Sequence, residues 1–255
     1  MELGIRGKNA IITGGSQGIG LGIAQVLADE GANVAICARS ADRVAQAVET
    51  LAAKGVRATG ASVDVTDTEA LRAWVDSVAG ELGGIDIVVA NTSAFSITNS
   101  LDDWRSGFEV DLIGNVSLIQ AAAPYLEKSS SGVVTIISSI AGVQHWAFEA
   151  DMAYGSFKAA LIHHAKALSR TWSSKGIRVN SVSPGPVYSS DGPWGQVQQA
   201  HPELYEAMLA EAPFGRMGTP EEIGAAVAFL SSSRAAYISG INLVIDGNLS
   251  SRVQY

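Results

Sequence analysis

Short apolar, β-branched runs alternate along the chain with longer stretches whose apolar residues recur at helical spacing. That alternation is the mark of βαβ units on a parallel sheet. Strands are expected at Asn9–Thr13, Asn33–Ala38, Ala58–Val63, Ile85–Ala90, Val133–Ser138, Arg178–Ser183 and Asn242–Ile245. Most of them, "IDIVVA" and "GVVTII" included, are continuous hydrophobic runs, as strands covered on both faces require. The fold class expected is therefore α/β, a Rossmann-like, doubly wound parallel sheet of about seven strands with helices on both faces. Two helix starts are marked: Thr66-Asp-Thr-Glu69 reads as a capping box, and Thr219-Pro-Glu-Glu222 adds proline at the first helical position.

No repeat, low-complexity linker or charge block breaks the pattern, so residues 1–255 read as a single domain. The irregular part runs from Ser183 to Gly218, where "SPGPVYSSDGPWG" reads as loop and "PELYEAMLAEA" as a short helix. It is too long for an ordinary connection, and a substrate lid at about 187–217 is expected there.

Composition narrows the partners. With 47% hydrophobic and 16% charged residues the chain is too apolar to be disordered. No apolar run approaches the roughly 20 residues that span a bilayer. The start "MELGIRGKNAIITGG" lacks the basic and apolar regions of a leader, so a cytoplasmic location without membrane contact is expected. A net charge of -8 disfavours nucleic acid and anionic membranes, which need a basic footprint. Cys37 is the lone cysteine; it reads as a buried strand residue, and neither a disulfide nor a metal site is expected.

Chemistry first shows in "NAIITGGSQGIGLGIAQVLADEGANVAICARS", a strand, a turn holding Gly14, Gly15, Gly18 and Gly20, a helix and a second strand. Glycines there permit a tight turn and close backbone approach, and the helix N-terminus offers free N–H groups to a pyrophosphate. A plain strand-to-helix turn would also use glycine, but the βαβ setting favours a dinucleotide. The second strand ends without a carboxylate to bind a ribose 2′-hydroxyl; Arg39 stands there instead, which favours a 2′-phosphate and hence NADP over NAD. A solvated arginine at a helix start is the competing account. Tyr154 and Lys158 are four apart, so on a helix they share a face and the ammonium stabilises the phenolate form. Taken alone, that spacing also fits a lysine stem lying along a ring.

Four motifs in order decide between these accounts. With "TGGSQGIG" at the first turn, "VVTIISSIAG" on the fifth strand, "YGSFK" on the next helix and "VNSVSPGPV" after the sixth strand, the chain resembles the short-chain dehydrogenase/reductase family over nearly its whole length. The resemblance, which includes 3-oxoacyl-reductase-like members, implies hydride transfer between a nicotinamide and a carbonyl or secondary alcohol. It makes Tyr154 the general acid/base, Lys158 the group that holds the nicotinamide ribose, and Ser139 the hydroxyl that binds the reacting oxygen, with Ser138 as the alternative. For the cofactor it implies Gly14, Ser16, Gln17, Gly18, Ile19 and Gly20 at the pyrophosphate, and Arg39 and Ser40 at the 2′ position. Asp64 and Val65 match the adenine contact, Asn91 a ribose contact, and Pro184, Gly185, Val187 and Ser189 the carboxamide stretch. A strand-end cap is an equal account of Asp64. NAD remains possible, and a homotetramer is implied.

The match breaks in three places. Where the family writes "NNAG" this chain has Asn91-Thr92-Ser93-Ala94, which removes glycine's freedom at Ala94. Where the family's catalytic asparagine stands, the chain aligns Asp111, with Asn115 one turn later. That asparagine keeps a helix distortion and a proton-relaying water; an aspartate accepts the same bonds but donates none, and as a carboxylate it favours a charged lysine. An altered pH profile follows. Ser139 and Tyr154 are 15 positions apart, which predicts an enlarged loop over the substrate, with His145, Trp146, Phe148, Met152, Phe95 and Trp194 as possible apolar lining. Between Val187 and Gly215 there is no lysine or arginine, while Asp191, Glu203, Glu206 and Glu211 are present. An acidic lid argues for a small, uncharged, largely apolar ketone or alcohol over a phosphate-bearing thioester. The rival readings are a 3-oxoacyl thioester reductase and a dinucleotide-binding regulator without turnover.

Overall fold

The computed structural model describes residues 2–145 and 152–253. Among these residues seven strands form one sheet in the order β3-β2-β1-β4-β5-β6-β7. Every neighbouring pair is parallel. The strands are β1 (Asn9–Thr13), β2 (Asn33–Ala38), β3 (Ala58–Ser62), β4 (Ile87–Ala90), β5 (Val133–Ile137), β6 (Arg178–Pro184) and β7 (Asn242–Ile245). β1, β2 and β7 have the expected limits. β4 starts two residues late, at Ile87, where the Asp86 carboxylate already takes the Asn9 N–H (2.9 Å) and the Ser129 hydroxyl (2.5 Å). β5 stops at Ile137, although the Ser138 N–H still bonds the Val182 carbonyl of β6 (2.7 Å).

Helices α1 (Gly18–Asp29), α2 (Ala41–Ala52) and α9 (Pro220–Ser231) cover one face, where Ile23, Leu27, Leu51, Ile223 and Val227 are buried. α3 (Thr68–Leu82), α5 (Asn115–Leu126) and α6 (Met152–Trp172) cover the other with Leu71, Trp74, Leu118 and Leu161. The continuous apolar strands are explained by this double cover. Cys37 is fully buried, as expected, and burial pushes its thiol pKa up.

The cap of α3 is Asp67, not Thr66: Asp67 accepts from the Ala70 N–H at 2.9 Å. Thr66 is taken up by Asp64, whose Oδ1 receives both its N–H (3.0 Å) and its hydroxyl (2.8 Å). The Thr219 box is as expected, with reciprocal bonds to Glu222. The segment 187–217 contains two helices where the sequence suggested one, α7 (Pro193–Ala200) and α8 (Pro202–Glu211). Gly192 before Pro193 is a helix-start signal hidden in a loop-like composition. α4 (Leu101–Gly107) leads into α5 through a π-helical segment, Phe108–Gly114.

Glu222 also receives both guanidinium nitrogens of Arg216, at 2.8 and 2.6 Å, which ties the end of segment 187–217 to α9. The Arg216 bonds first, and the Thr219 N–H second, hold its carboxyl pKa down at about 2. A depressed folded value means the stabilisation is present above the unfolded carboxylate range and fades as pH falls from about 4.5 toward 2. Glu222→Gln should therefore lower Tm slightly at pH 7, because the pair is solvent-exposed. The gap from wild type should close in thermal scans as pH drops through that window; a gap independent of pH contradicts the assignment.

Candidate active site

The predicted site residues gather at the carboxyl ends of the strands, around the gap between β1 and β4 where strand order reverses. That crevice is where open α/β sheets bind ligands. After β1, Gly14 (φ 65°) and Gly18 (φ 53°) adopt the left-handed conformation, and a Cβ on Gly20 would lie 2.2 Å from the Gly14 carbonyl oxygen. Only glycine permits that closure. Gln17 is the N-cap of α1 but makes no side-chain cap bond, so the helix's first amides stay available beside its positive end. Ser16 is buried under the turn, while Gln17 and Ile19 are half-buried. Asn91 pins the turn from the end of β4: its Nδ2 donates to the Thr13 carbonyl (3.0 Å) and the Gly14 carbonyl (3.4 Å).

At the end of β2, Arg39 is exposed and Ser40 caps α2. Arg43, one turn into α2, donates to the Gln17 Oε1 at 2.6 Å. It is a second arginine beside the glycine turn that sequence reasoning missed, although its place four residues after Arg39 was the available signal. The two Thr66 bonds hold the Asp64 carboxyl pKa below its ordinary range, the Arg39 charge adding to them. Those bonds give Asp64 the strand-end cap considered for it. Val65 is buried against Gly114, where a Cβ would come within 2.8 Å of it.

The two serines after β5 differ. Ser138 donates its hydroxyl to the Lys158 carbonyl at 2.8 Å, deep in the core. The Ser139 hydroxyl accepts from the Ala141 N–H at 3.1 Å and keeps its own proton. Two glycines seat the Ser139 turn on α6. A Cβ on Gly142 would fall 2.7 Å from the Ala159 nitrogen, and one on Gly155 would fall 2.7 Å from the Ala141 carbonyl oxygen. The contact lays the turn along the part of α6 that carries Tyr154 and Lys158.

Lys158 is 2% exposed; its Nζ lies 5.4 Å from the centre of the half-buried Tyr154 ring and 3.3 Å from the Ile137 carbonyl. Asp111, 1% exposed, faces it with Oδ1 at 3.1 Å, an ion pair without a well-aligned hydrogen bond. Oδ2 accepts from the Ala94 N–H at 2.9 Å. The π-helical widening sits at Asp111, whose carbonyl accepts from Asn115 Nδ2 at 2.7 Å, and that amide also reaches the Thr92 carbonyl at 3.1 Å. The altered turn after β4 puts its left-handed residue at Phe95 (φ 54°), not Ala94, and Phe95 lies 5.5 Å from Tyr154, ring to ring.

After β6, whose last residue is Pro184, a Cβ on Gly185 would fall 2.8 Å from Asp246. Val187 pairs with Gly218, and the Ser189 hydroxyl lies 3.6 Å from where a Gly18 Cβ would stand. Segment 187–217 thus starts over the glycine turn. Trp194 is half-buried in α7, while Met152 and His145 are exposed; Trp146 and Phe148 lie outside the described residues. Among the described residues no cluster of His, Cys, Asp or Glu is placed to hold a metal, and no helix is long and apolar enough to cross a membrane.

This arrangement can bind an anion at the glycine turn, and it sets the Tyr154 ring 5.4 Å from a buried ammonium. Known proteins resemble the chain over nearly its whole length. Residues 14–250 match the family model described as enoyl-(acyl carrier protein) reductase. An isoepoxydon dehydrogenase of Penicillium expansum is 37% identical, over 100% of this chain and 99% of its own length. A 3-oxoacyl-[acyl-carrier-protein] reductase of Chlamydia muridarum is 35% identical, over 95% of this chain and 97% of its own. Among solved structures, L-sorbose reductase from Gluconobacter frateurii, complexed with NADPH and L-sorbose, superposes with a TM-score of 0.90 at 32% identity, covering 99% of this chain and 100% of that one. A 7α-hydroxysteroid dehydrogenase complexed with NADH and 7-oxo glycochenodeoxycholic acid superposes at 0.89 with 31% identity, covering 96% and 95%. The chain belongs to the short-chain dehydrogenase/reductase family, oxidoreductases that interconvert a ketone and a secondary alcohol.

Proposed function

We propose that this chain is an NADP(H)-preferring reductase of small, uncharged, largely apolar ketones, with Ser139, Tyr154 and Lys158 as its catalytic groups. The observation that carries the reading is the buried Asp111–Lys158 pair under Tyr154, at the edge of a crevice closed by the glycine turn. A dinucleotide fits the residues present: the uncapped start of α1 can take the pyrophosphate, and Gly14, Ser16, Gln17, Gly18, Ile19 and Gly20 shape its seat. Arg39 and Ser40, with Arg43 beside Gln17, would meet a 2′-phosphate. Val65, and Asp64 through the turn it caps, would flank the adenine, and Asn91 shapes the ribose side by holding the Gly14 turn. Pro184, Gly185, Val187 and Ser189 would border the carboxamide. When bound, the nicotinamide supplies the hydride.

The protein's own part is orientation and proton handling. Ser139 keeps a free O–H to donate to the substrate oxygen. Tyr154 delivers the proton, and the Lys158 ammonium favours the phenolate left behind. Lys158 has donor capacity beyond Ile137 and Asp111 for the ribose hydroxyls, and the Asp111 carboxylate 3.1 Å away holds its Nζ in place. The segment from Val187 to Gly215, which lacks lysine and arginine, is read as an acidic lid that disfavours phosphate-bearing thioesters. A homotetramer is part of the same proposal, since exposed Phe229, Tyr237 and Ile241 leave apolar surface beside β7.

Two measurements test it. Arg39→Ala should weaken NADPH binding about tenfold while moving NADH little, as the loss of one charge-assisted contact requires; equal wild-type affinity for the two cofactors defeats the preference. In a panel assayed with NADPH, uncharged ketones should outrun an acetoacetyl thioester, and the reverse order would make the chain a thioester reductase.

A further inference from the structure

Phe95 is one of only two non-glycine residues with positive φ among the described residues, at 54°. A bulky side chain in that conformation marks a backbone held by its surroundings, and such strain gathers at functional sites. The holding groups are plain. Ala94, just before it, gives its N–H to Asp111 Oδ2 at 2.9 Å, the Phe95 N–H goes to Ser93 Oγ at 3.1 Å, and Ser96, just after, is buried. Between two anchored neighbours Phe95 turns outward, 42% exposed, with its ring 5.5 Å from that of Tyr154 and inclined by 59°.

Asp111 ties this loop to the chemistry. One oxygen faces the Lys158 ammonium at 3.1 Å and the other receives the Ala94 N–H at 2.9 Å, so both partners are donors. A carboxylate accepts at two atoms, whereas an asparagine would have to point its NH₂ at an ammonium or at an N–H. The carboxylate at 111 is therefore what allows Lys158 and the Phe95 loop to be held together.

We propose that Phe95 is a specificity-determining aromatic platform for planar cyclic ketones, aryl or unsaturated, and that Asp111 is the positioning residue that presents it. The ring of such a substrate stacks on the exposed Phe95 face while its carbonyl oxygen meets the Tyr154 hydroxyl. Aromatic pairs at centroid distances of about 4.5–7 Å favour such flat partners over open chains. The inference rests on Tyr154 as the proton donor, and its test separates the two.

The experiment compares an aryl ring ketone with an open-chain ketone of equal carbon number, both with NADPH. Phe95→Ala and the milder Phe95→Leu should lower the ring-to-chain ratio of kcat/KM by about three- to tenfold, and Phe95→Tyr should restore it. Asp111→Asn should lower the same ratio, and adding Phe95→Ala to it should lower it little further. An unchanged ratio in the Phe95 variants overturns the platform; fully additive losses overturn the Asp111 link. Calorimetric affinity of the ring ketone for the NADPH-loaded Tyr154→Phe enzyme, with and without Phe95→Ala, reads the platform without turnover. If wild type turns over no ketone yet this affinity depends on Phe95, the catalytic reading fails and the platform stands; if the affinity ignores Phe95, the platform fails.

Discussion

Tyr154→Phe is expected to cut turnover by about 10²- to 10⁴-fold, the usual worth of a positioned acid/base group. The substitution removes one oxygen and leaves the ring where it packs, against Phe95 and near the Lys158 Nζ. NADPH affinity should therefore change little, and thermal stability should hold. Single-turnover NADPH oxidation, paired with a fluorescence titration of NADPH, separates the chemical step from binding. A variant that keeps wild-type turnover contradicts the role given to Tyr154. One that loses cofactor binding in proportion points to a collapsed site.

The second large effect comes from the pair beneath it. Lys158→Met should remove activity and also cost about 3–5 kcal/mol of stability, because it leaves the Asp111 carboxylate buried without its cation. For a chain of this length that is a fall in Tm on the order of 10 °C. Adding Asp111→Asn to Lys158→Met removes the stranded charge and should recover much of the Tm while restoring no turnover. Scanning calorimetry and the NADPH assay on the three proteins decide it. If Lys158→Met is as stable as wild type, the two groups are not an ion pair in the folded protein. Asp111→Asn alone removes the carboxylate 3.1 Å from the Lys158 Nζ, so its pH–rate profile should differ from that of wild type. Superimposable profiles would show the carboxylate to be silent there.

Much of this was legible in the sequence. Uninterrupted apolar runs located most of the strands, because a strand covered on both faces has no polar side to confuse the pattern; the edge strand β3, ATGAS, is partly exposed and has no such run. The glycine turn, Tyr154 and Lys158 could be read for a similar reason: their geometry is local, a strand-to-helix turn and a four-residue helical spacing. What escaped depends on contacts between distant segments. Gly142 and Gly155 look ordinary in "SIAGV" and "AYGSF", yet each is small because the other element's backbone lies against it. The choice between Ser138 and Ser139 needed the Lys158 carbonyl, 20 residues on from Ser138, to claim one of them. Arg43 reaches the glycine turn through Gln17, 26 residues before it. Asp111 was recognised as a departure, but its second bond, to Ala94, and the resulting posture of Phe95 belong to a loop path that no periodicity encodes.

The most direct test follows the hydride itself. NADPH dideuterated at C4 of the nicotinamide is incubated with the enzyme and an uncharged cyclic ketone, and the product alcohol is examined by mass spectrometry. The account predicts one deuterium on the carbinol carbon in wild type and a loss of about 10²- to 10⁴-fold in its rate of appearance in Tyr154→Phe. Tight NADPH binding with no deuterated alcohol from any ketone in the panel would contradict it, and would leave a protein that binds the dinucleotide without using it.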